Sequence, residues 1–194
     1  MKIVNILTQA AEILGLVKES KTLATVTEQE EQQLLENDEI AGLFNLMKYS
    51  IQELCTNYVP MLTSVEVEIE NHVYPIKELT NYISIQNVTK NNESVRFKII
   101  NRNIVFEENG KHLIQYATYP EIKSMFEELD FLSNFSPDVI VLGLAAYYAL
   151  SRGRFEEFEL FHEQYLEKAE SLKQLKAFNL PQRRWEWKTN KELN

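Results

Sequence analysis

Residues 141–187 read VLGLAAYYALSRGRFEEFELFHEQYLEKAESLKQLKAFNLPQRRWEW, and this stretch decides the fold. Two apolar helical patterns meet at Arg152-Gly153-Arg154, where the glycine separates them. The first pattern is apolar nearly all round and the second is amphipathic. Ser136-Pro137-Asp138 supplies a start signal, with Ser as the cap and Pro at the first helical position. The pattern predicts a core helix from Pro137 to about Ser151 and an amphipathic helix from Arg154 to about Phe178.

The first 60 residues also have a helical period. Their apolar residues predict one helix over residues 3–14, ended by Gly15, and a stronger one from Ile40 to Tyr58, ended by Pro60. The acidic stretch 25–39 between them is predicted to be a connection with a helical turn or two. Cys55 lies on the apolar stripe of the second helix, so we interpret it as a small core residue.

The period changes to two in residues 61–120. Val65, Val67 and Ile69 alternate with glutamates, as in a half-exposed strand. Further strands are predicted at residues 82–88, 95–99, 104–106 and 112–119. Turn residues separate them, notably Lys90-Asn91-Asn92-Glu93 and Asn109-Gly110, and the second pair is the strongest hairpin signal in the chain. The block predicts a small antiparallel sheet of four or five strands.

These blocks predict an α+β fold, with a helical bundle made from both ends of the chain and a small antiparallel β-module inserted between them. The predicted division is residues 1–60 and 121–178 for the bundle, 61–120 for the β-module and 179–194 for a C-terminal tail. A short helix is predicted after Pro120, on Ile122, Met125, Phe126 and Leu129.

Composition excludes several classes of protein. The 194 residues suffice for one domain with an insertion, and the net charge of −9 argues against general nucleic-acid binding. A single cysteine rules out a disulfide framework and suits a reducing compartment. The longest apolar run, Val139 to Leu150, is shorter than the about 20 residues that cross a bilayer. Polar residues interrupt the N-terminal apolar face, so we expect neither a cleaved signal peptide nor a membrane anchor.

No catalytic pattern is apparent. His72, His112 and His162 have no second ligand at metal-binding spacing, and no base is identifiable for Cys55. Glycine-rich phosphate loops and the GxSxG and HExxH motifs are absent from the sequence. The carboxylates of residues 28–39 and 156–170 are typical of solvated helix faces. We expect no enzyme, no cofactor and no metal.

The C-terminal tail differs from these solvated helix faces. Arg183, Arg184, Trp185 and Trp187 follow Pro181, outside the helical pattern. Trp and Arg often anchor protein interfaces, which favours docking on a partner. Two alternatives remain open: the indole rings fold back on the bundle, or the arginines contact phosphates.

Several segments together resemble tailed-phage head–tail connector (adaptor) proteins. The resemblance to their paired C-terminal helices is carried by Leu144-Ala145-Ala146-Tyr147-Tyr148-Ala149-Leu150, Gly153, Phe155-Glu156-Glu157-Phe158 and Tyr165. The rest of the chain agrees through Ala10-Ala11-Glu12-Ile13-Leu14-Gly15, Phe44-Asn45-Leu46, Tyr58-Val59-Pro60, Tyr74-Pro75-Ile76-Lys77-Glu78-Leu79, Val95-Arg96-Phe97-Lys98-Ile99 and Arg183-Arg184-Trp185. These are patterns of packing residues spread over most of the chain.

The resemblance implies a virion structural protein of the neck, made in the host cytoplasm. It would form a ring, a dodecamer, on the portal protein, extend the channel through which packaged DNA passes, and provide the platform for stopper or tail proteins. In that family the C-terminal segment docks on the portal. The corresponding residues here are Phe178, Leu180, Gln182, Arg183, Arg184, Trp185 and Trp187.

A ring subunit needs two different lateral surfaces, since head-to-tail contacts close rings whereas a self-complementary patch makes a dimer. The amphipathic helix and the β-module are the candidates for these surfaces. The predicted subunit-interface residues on the helix are Glu156, Glu159, Glu163 and Glu167. An acidic channel wall would also let DNA slide without sticking, which fits the net charge of −9.

Two other hypotheses stay open. One is a different neck component, such as a stopper or tail-completion protein. The other is a cytoplasmic adaptor or regulator that uses Trp185 and Trp187 as an anchor. A regulator should be a monomer or dimer, whereas both neck components form rings.

Overall fold

The computed structural model describes residues 2–129 and 136–179, and its fold is α+β as predicted. The helices are α1 (Ile3–Ile13), α2 (Val17–Thr25), α3 (Glu31–Leu35), α4 (Asp38–Asn57), α5 (Asp138–Ser151) and α6 (Phe155–Asn179). The strands are β1 (Met61–Ile69), β2 (Val73–Pro75), β3 (Tyr82–Lys90), β4 (Glu93–Ser94), β5 (Phe97–Ile100), β6 (Asn103–Phe106) and β7 (Gly110–Thr118).

Helix α5 is the centre of the helical bundle, as its sequence predicts. Every residue from Val139 to Ala149 except Tyr147 is buried. The helix packs against α1, α4 and α6, and these helices share one apolar core. Because α1 and α4 precede the strands while α5 and α6 follow them, the strand region is an insertion into the bundle.

The region between the two predicted N-terminal helices contains one helix that was not predicted, α2, which precedes the acidic stretch 25–39. Helix α2 has nine residues, and a 3-10 turn at Glu28–Glu30 leads into α3. Leu23 and Leu34 are buried against the bundle, which anchors these short polar helices. Helix α2 was missed because its one buried leucine gives almost no periodic signal, whereas the 3-10 turn and α3 agree with the predicted helical turn or two.

The predicted short helix after Pro120 is wrong. Residues 121–129 are irregular, although Ile122, Met125 and Leu129 are buried as their apolar character suggests. The carbonyl oxygens of Met125 and Glu127 accept hydrogen bonds from the first backbone amides of α1, so they are not available for a helix of their own. Glu31 in turn accepts a 2.6 Å hydrogen bond from the Met125 amide.

The β-module contains two antiparallel sheets where one was predicted. The four-stranded sheet has the order β1-β7-β3-β4 and the three-stranded sheet has the order β2-β6-β5. Their inner faces share a second apolar core formed by Val67, Ile69, Leu79, Val88, Ile104, Phe106, Ile114 and Tyr116. At the base of the module, Met61 and Ile83 also pack against the bundle core.

Asparagine-rich turns set the strand connections. Both central residues have positive φ in the pairs Asn71–His72, Asn91–Asn92 and Asn101–Arg102, which is typical of type I′ hairpin turns. The hairpin predicted at Asn109-Gly110 is wrong, because β6 and β7, on either side of it, belong to different sheets. Gly110 still uses a positive φ of 109°, and the Asn109 side chain accepts a hydrogen bond from the His72 amide at 2.7 Å.

Candidate assembly surfaces

One side of α6 is an exposed acidic face, defined by Glu156, Glu159, Glu163 and Glu167. Successive residues of an α-helix are about 100° apart, so these four share one side with Leu160 at its border. Leu160 is 54% exposed, while Tyr165 on the opposite side is fully buried. None of the four glutamates has an ion-pair partner in residues 2–129 and 136–173. The predicted interface residues therefore form an exposed negative surface with the apolar Leu160 at its border.

A partly buried polar network fixes α6 to the rest of the bundle. The phenol groups of Tyr147 and Tyr165 each donate a 2.7 Å hydrogen bond to the same carboxylate oxygen, Oε2 of Glu53 on α4. Burial and the hydrogen bond to Glu53 raise the pKa of both phenols well above the usual tyrosine value. They therefore remain donors at neutral pH and join α4, α5 and α6 through one carboxylate.

Gly143 allows these three helices to pack closely. A Cβ atom at this position would lie 3.1 Å from two ring carbons of Tyr165 and would overlap the Ser50 hydroxyl oxygen. That hydroxyl is buried and has no hydrogen-bond partner among the described residues. Ser50 and Gly143 thus allow α4, α5 and α6 to pack closely.

A second polar cluster fixes the corner between α5 and α6. The Arg152 guanidinium donates to both oxygens of Glu39 at 2.6 and 2.5 Å, and the Tyr148 phenol also donates to Glu39. The hydrogen bond from Tyr148 and the charge of Arg152 hold the pKa of the Glu39 carboxyl below its usual value. Gly153, with φ of 69°, then turns the chain into α6. The Glu39 cluster and the turn at Gly153 together set the direction of α6 and of its acidic face.

The outer face of the three-stranded sheet differs in character from α6. Register places Val105 between Lys98 on β5 and Val73 on β2, with Ile100 in the next row. Val73 is 41% exposed and Ile100 is 50% exposed. A groove of about 540 Å³ beside them is lined by Val95, Arg96, Phe97, Lys98, Val105, Phe106 and Glu107.

This sheet face is also basic. Arg96 precedes β5, Lys98 lies on it and Arg102 lies in the turn that follows it. All three are exposed, and none has an ion-pair partner in the part of the chain that the structure describes. Strand β5 is the outermost strand, with β6 as its one neighbour among the described strands. We call the surface formed by Val73, Ile100, Arg96, Lys98 and Arg102 the basic sheet face.

The histidines and the cysteine lie apart. His72 is exposed in a turn, His112 is buried with Nδ1 2.9 Å from the Gly110 carbonyl oxygen, and His162 stacks on Phe158. Cys55 is fully buried in the bundle core, which confirms its interpretation as a core residue. Within residues 2–129 and 136–179 no three metal-binding side chains are grouped for a metal ion.

Most of the predicted portal-docking residues lie outside the described part of the chain. Phe178 is within α6, but its side chain is not described. The residues outside the description are Leu180, Gln182, Arg183, Arg184, Trp185 and Trp187. Their docking role stays a prediction.

Two features were missed from the sequence. The Glu53 network had a visible signal in Tyr147, a hydroxyl in an apolar run, but its acceptor is 94 residues away. The basic sheet face has a signal in the alternation Arg96-Phe97-Lys98, which predicts a strand with two cations on one side.

Comparison with protein-family models and with curated proteins finds no match to this chain. No helix in residues 2–129 and 136–179 is long and apolar enough to cross a bilayer.

Proposed function

We propose that this chain is a head–tail adaptor of a tailed phage, which forms a ring on the portal vertex. The observation that carries the proposal is that one folded chain presents two exposed surfaces of opposite charge, the acidic face of α6 and the basic sheet face. Two different surfaces allow head-to-tail association, which closes a ring when the rotation between successive subunits adds up to a full turn.

The remaining parts of the chain fit this role. The C-terminal tail, with Trp185 and Trp187, would bind the portal protein, while the ring, a dodecamer, would continue the DNA channel and receive stopper or tail proteins. The net charge of −9 suits a channel wall that does not retain DNA. The protein would act in the virion neck after synthesis in the host cytoplasm, as a structural component without catalysis.

The test is to mix the purified chain with a candidate portal ring and to measure the mass of the complex. Two variants are compared with the full chain: a truncation that ends at Pro181, and Trp185→Ala/Trp187→Ala, which keeps the length and charge of the tail. We expect one copy per portal subunit for the full chain and at least tenfold weaker binding for both variants.

Each other result identifies a different role. Undiminished binding by both variants would keep the adaptor role and refute the tail as the anchor. A ring that does not bind the portal would favour a stopper or tail-completion protein, whose ring occupies another layer of the neck. A monomer or dimer without portal binding would contradict the proposal and favour a cytoplasmic regulator.

A further inference from the structure

We propose that the acidic face of α6 in one copy binds the basic sheet face of the next copy, so that this single head-to-tail contact repeats around the ring. The inference rests on the proposed ring assembly and names the two surfaces that would meet.

The charges of the two surfaces are complementary, and among the described residues they are not paired within their own chain. Glu156, Glu159, Glu163 and Glu167 have no ion-pair partner within the described residues, and neither do the three cations of the basic sheet face. Two copies of net charge −9 repel each other on average, so association needs a local patch of opposite sign. Complementary patches of this kind favour one orientation of encounter over others.

Both surfaces also expose apolar side chains among their charges. Leu160 lies at the border of the four glutamates and is 54% exposed. On the basic sheet face, Val73 and Ile100 are 41% and 50% exposed. Apolar contact surrounded by polar groups is the usual composition of a specific interface, and it supplies the burial that charge alone does not.

The acidic surface on β1 is a poorer match. Glu66 and Glu68 project from the outer face of β1, but Glu66 pairs with Lys111 at 3.6 Å, and Lys111 is also opposite Glu68 in the register. This surface is thus already partly neutralised within its own chain. The acidic face of α6 has no such counter-ion among the described residues and is fixed in direction by Glu53 and Glu39.

Paired charge reversals test the contact. Lys98→Glu/Arg102→Glu makes the sheet face acidic, and Glu159→Lys/Glu163→Lys makes the helix face basic. We expect each variant to self-associate at least tenfold more weakly than the wild-type chain in sedimentation velocity at low salt. All four side chains are exposed, so circular dichroism and the thermal midpoint should remain those of the wild type.

Restoration is the decisive result. An equimolar mixture of the two variants should assemble again, because each altered surface then meets a surface of opposite charge on the other variant. A chain with all four substitutions should assemble for the same reason. Lys18→Glu/Lys21→Glu, an equal charge change on exposed residues of α2, is the matched control and should associate as the wild type does.

Three outcomes would overturn the contact. The wild-type chain could stay monomeric at about 1 mM, a concentration at which even a weak interaction is populated. The charge reversals could leave association unchanged, or the mixture of variants could fail to restore it. Failure of the adaptor role is separable from these. If the chain binds the portal ring but the charge reversals do not change its self-association, the adaptor role stands and this contact is refuted. If mixing the two variants restores association but the chain does not bind a portal ring, this contact stands and the adaptor role is refuted.

Discussion

The helical bundle and the β-module are stabilised in different ways. In the bundle, two long-range clusters around Glu53 and Glu39 connect helices that are about a hundred residues apart in sequence. In the β-module, strand direction is set by local turns such as Asn91–Asn92, and the prominent ion pair, Lys90–Glu108, lies at the exposed end. The bundle thus fixes the orientation of α6 by tertiary contacts, whereas the module obtains its sheet faces from local backbone chemistry.

The contrast between tertiary and local stabilisation is strongest at Tyr165. Removing its side chain should therefore have the largest effect on stability. We expect Tyr165→Ala to lower the free energy of unfolding by about 3–5 kcal/mol, because it leaves a cavity beside Gly143 and removes a donor from Glu53. Tyr165→Phe keeps the ring and should cost less, about 1.5–3 kcal/mol, since Tyr147 still donates to Glu53. Urea unfolding followed by circular dichroism at neutral pH measures both.

A loss below about 1 kcal/mol for Tyr165→Ala would contradict the importance of this network. The loss of stability should also be confined to the helical bundle. Hydrogen exchange in the variant is expected to accelerate in α5 and α6 before it does in β7.

Close packing at Gly143 provides the next largest effect. Gly143→Ala should destabilise the chain by about 1–3 kcal/mol, because the added methyl group meets the Ser50 hydroxyl and the Tyr165 ring. Ser50→Ala removes a buried hydroxyl that has no partner among the described residues, so alone it should be neutral or stabilising. The double variant should recover part of the loss, as seen in a double-mutant cycle of unfolding free energies.

Additive effects in that cycle would mean that Ser50 does not limit the approach of α4 to α5. Gly42 on α4 is a suitable control, because a Cβ there would meet no atom within 4 Å. Gly42→Ala should therefore be neutral or stabilising, since alanine is the better helix former.

The same contrast explains which elements the sequence predicted. Period and start signals were enough for α1, α4, α5 and α6, because each carries a continuous apolar stripe. The region 121–129 has a similar stripe, yet its carbonyl groups serve α1, and such tertiary competition leaves no mark in local sequence. Likewise, Asn109-Gly110 has the residues of a hairpin turn, but they connect strands of two different sheets.

The acidic face of α6 was predictable for a related reason. Helical spacing alone places Glu156, Glu159, Glu163 and Glu167 on one side, and all four are exposed in the structure. The basic sheet face was not predictable, because it combines β2 with the β5–β6 hairpin. Assigning Val73 and Ile100 to one face requires the strand register, which sequence alone does not give.

The smallest expected effect compares two carboxylates, one from each region. The hydrogen bond from Tyr148 lowers the pKa of Glu39 in the bundle, and that from Lys90 lowers the pKa of Glu108 in the module. A carboxyl whose pKa is lower in the folded state stabilises that state above its unfolded pKa, and this contribution disappears as the pH falls through the folded pKa. Both groups should therefore contribute to acid destabilisation below about pH 4.5.

Salt separates the two carboxylates. Glu39 is 27% exposed and shared by two donors, whereas Glu108 is 72% exposed, so about 0.5 M salt should screen the Glu108 pair more completely. Unfolding free energies of Glu39→Gln and Glu108→Gln are measured from pH 7 to pH 3 at low and high salt. Glu39→Gln should flatten the acid dependence at both salt concentrations, and Glu108→Gln only at low salt. Equal behaviour of the two variants would mean that the corner between α5 and α6 is no better protected from solvent than the end of the β-module, and that the orientation of the acidic face depends on the Glu53 network alone.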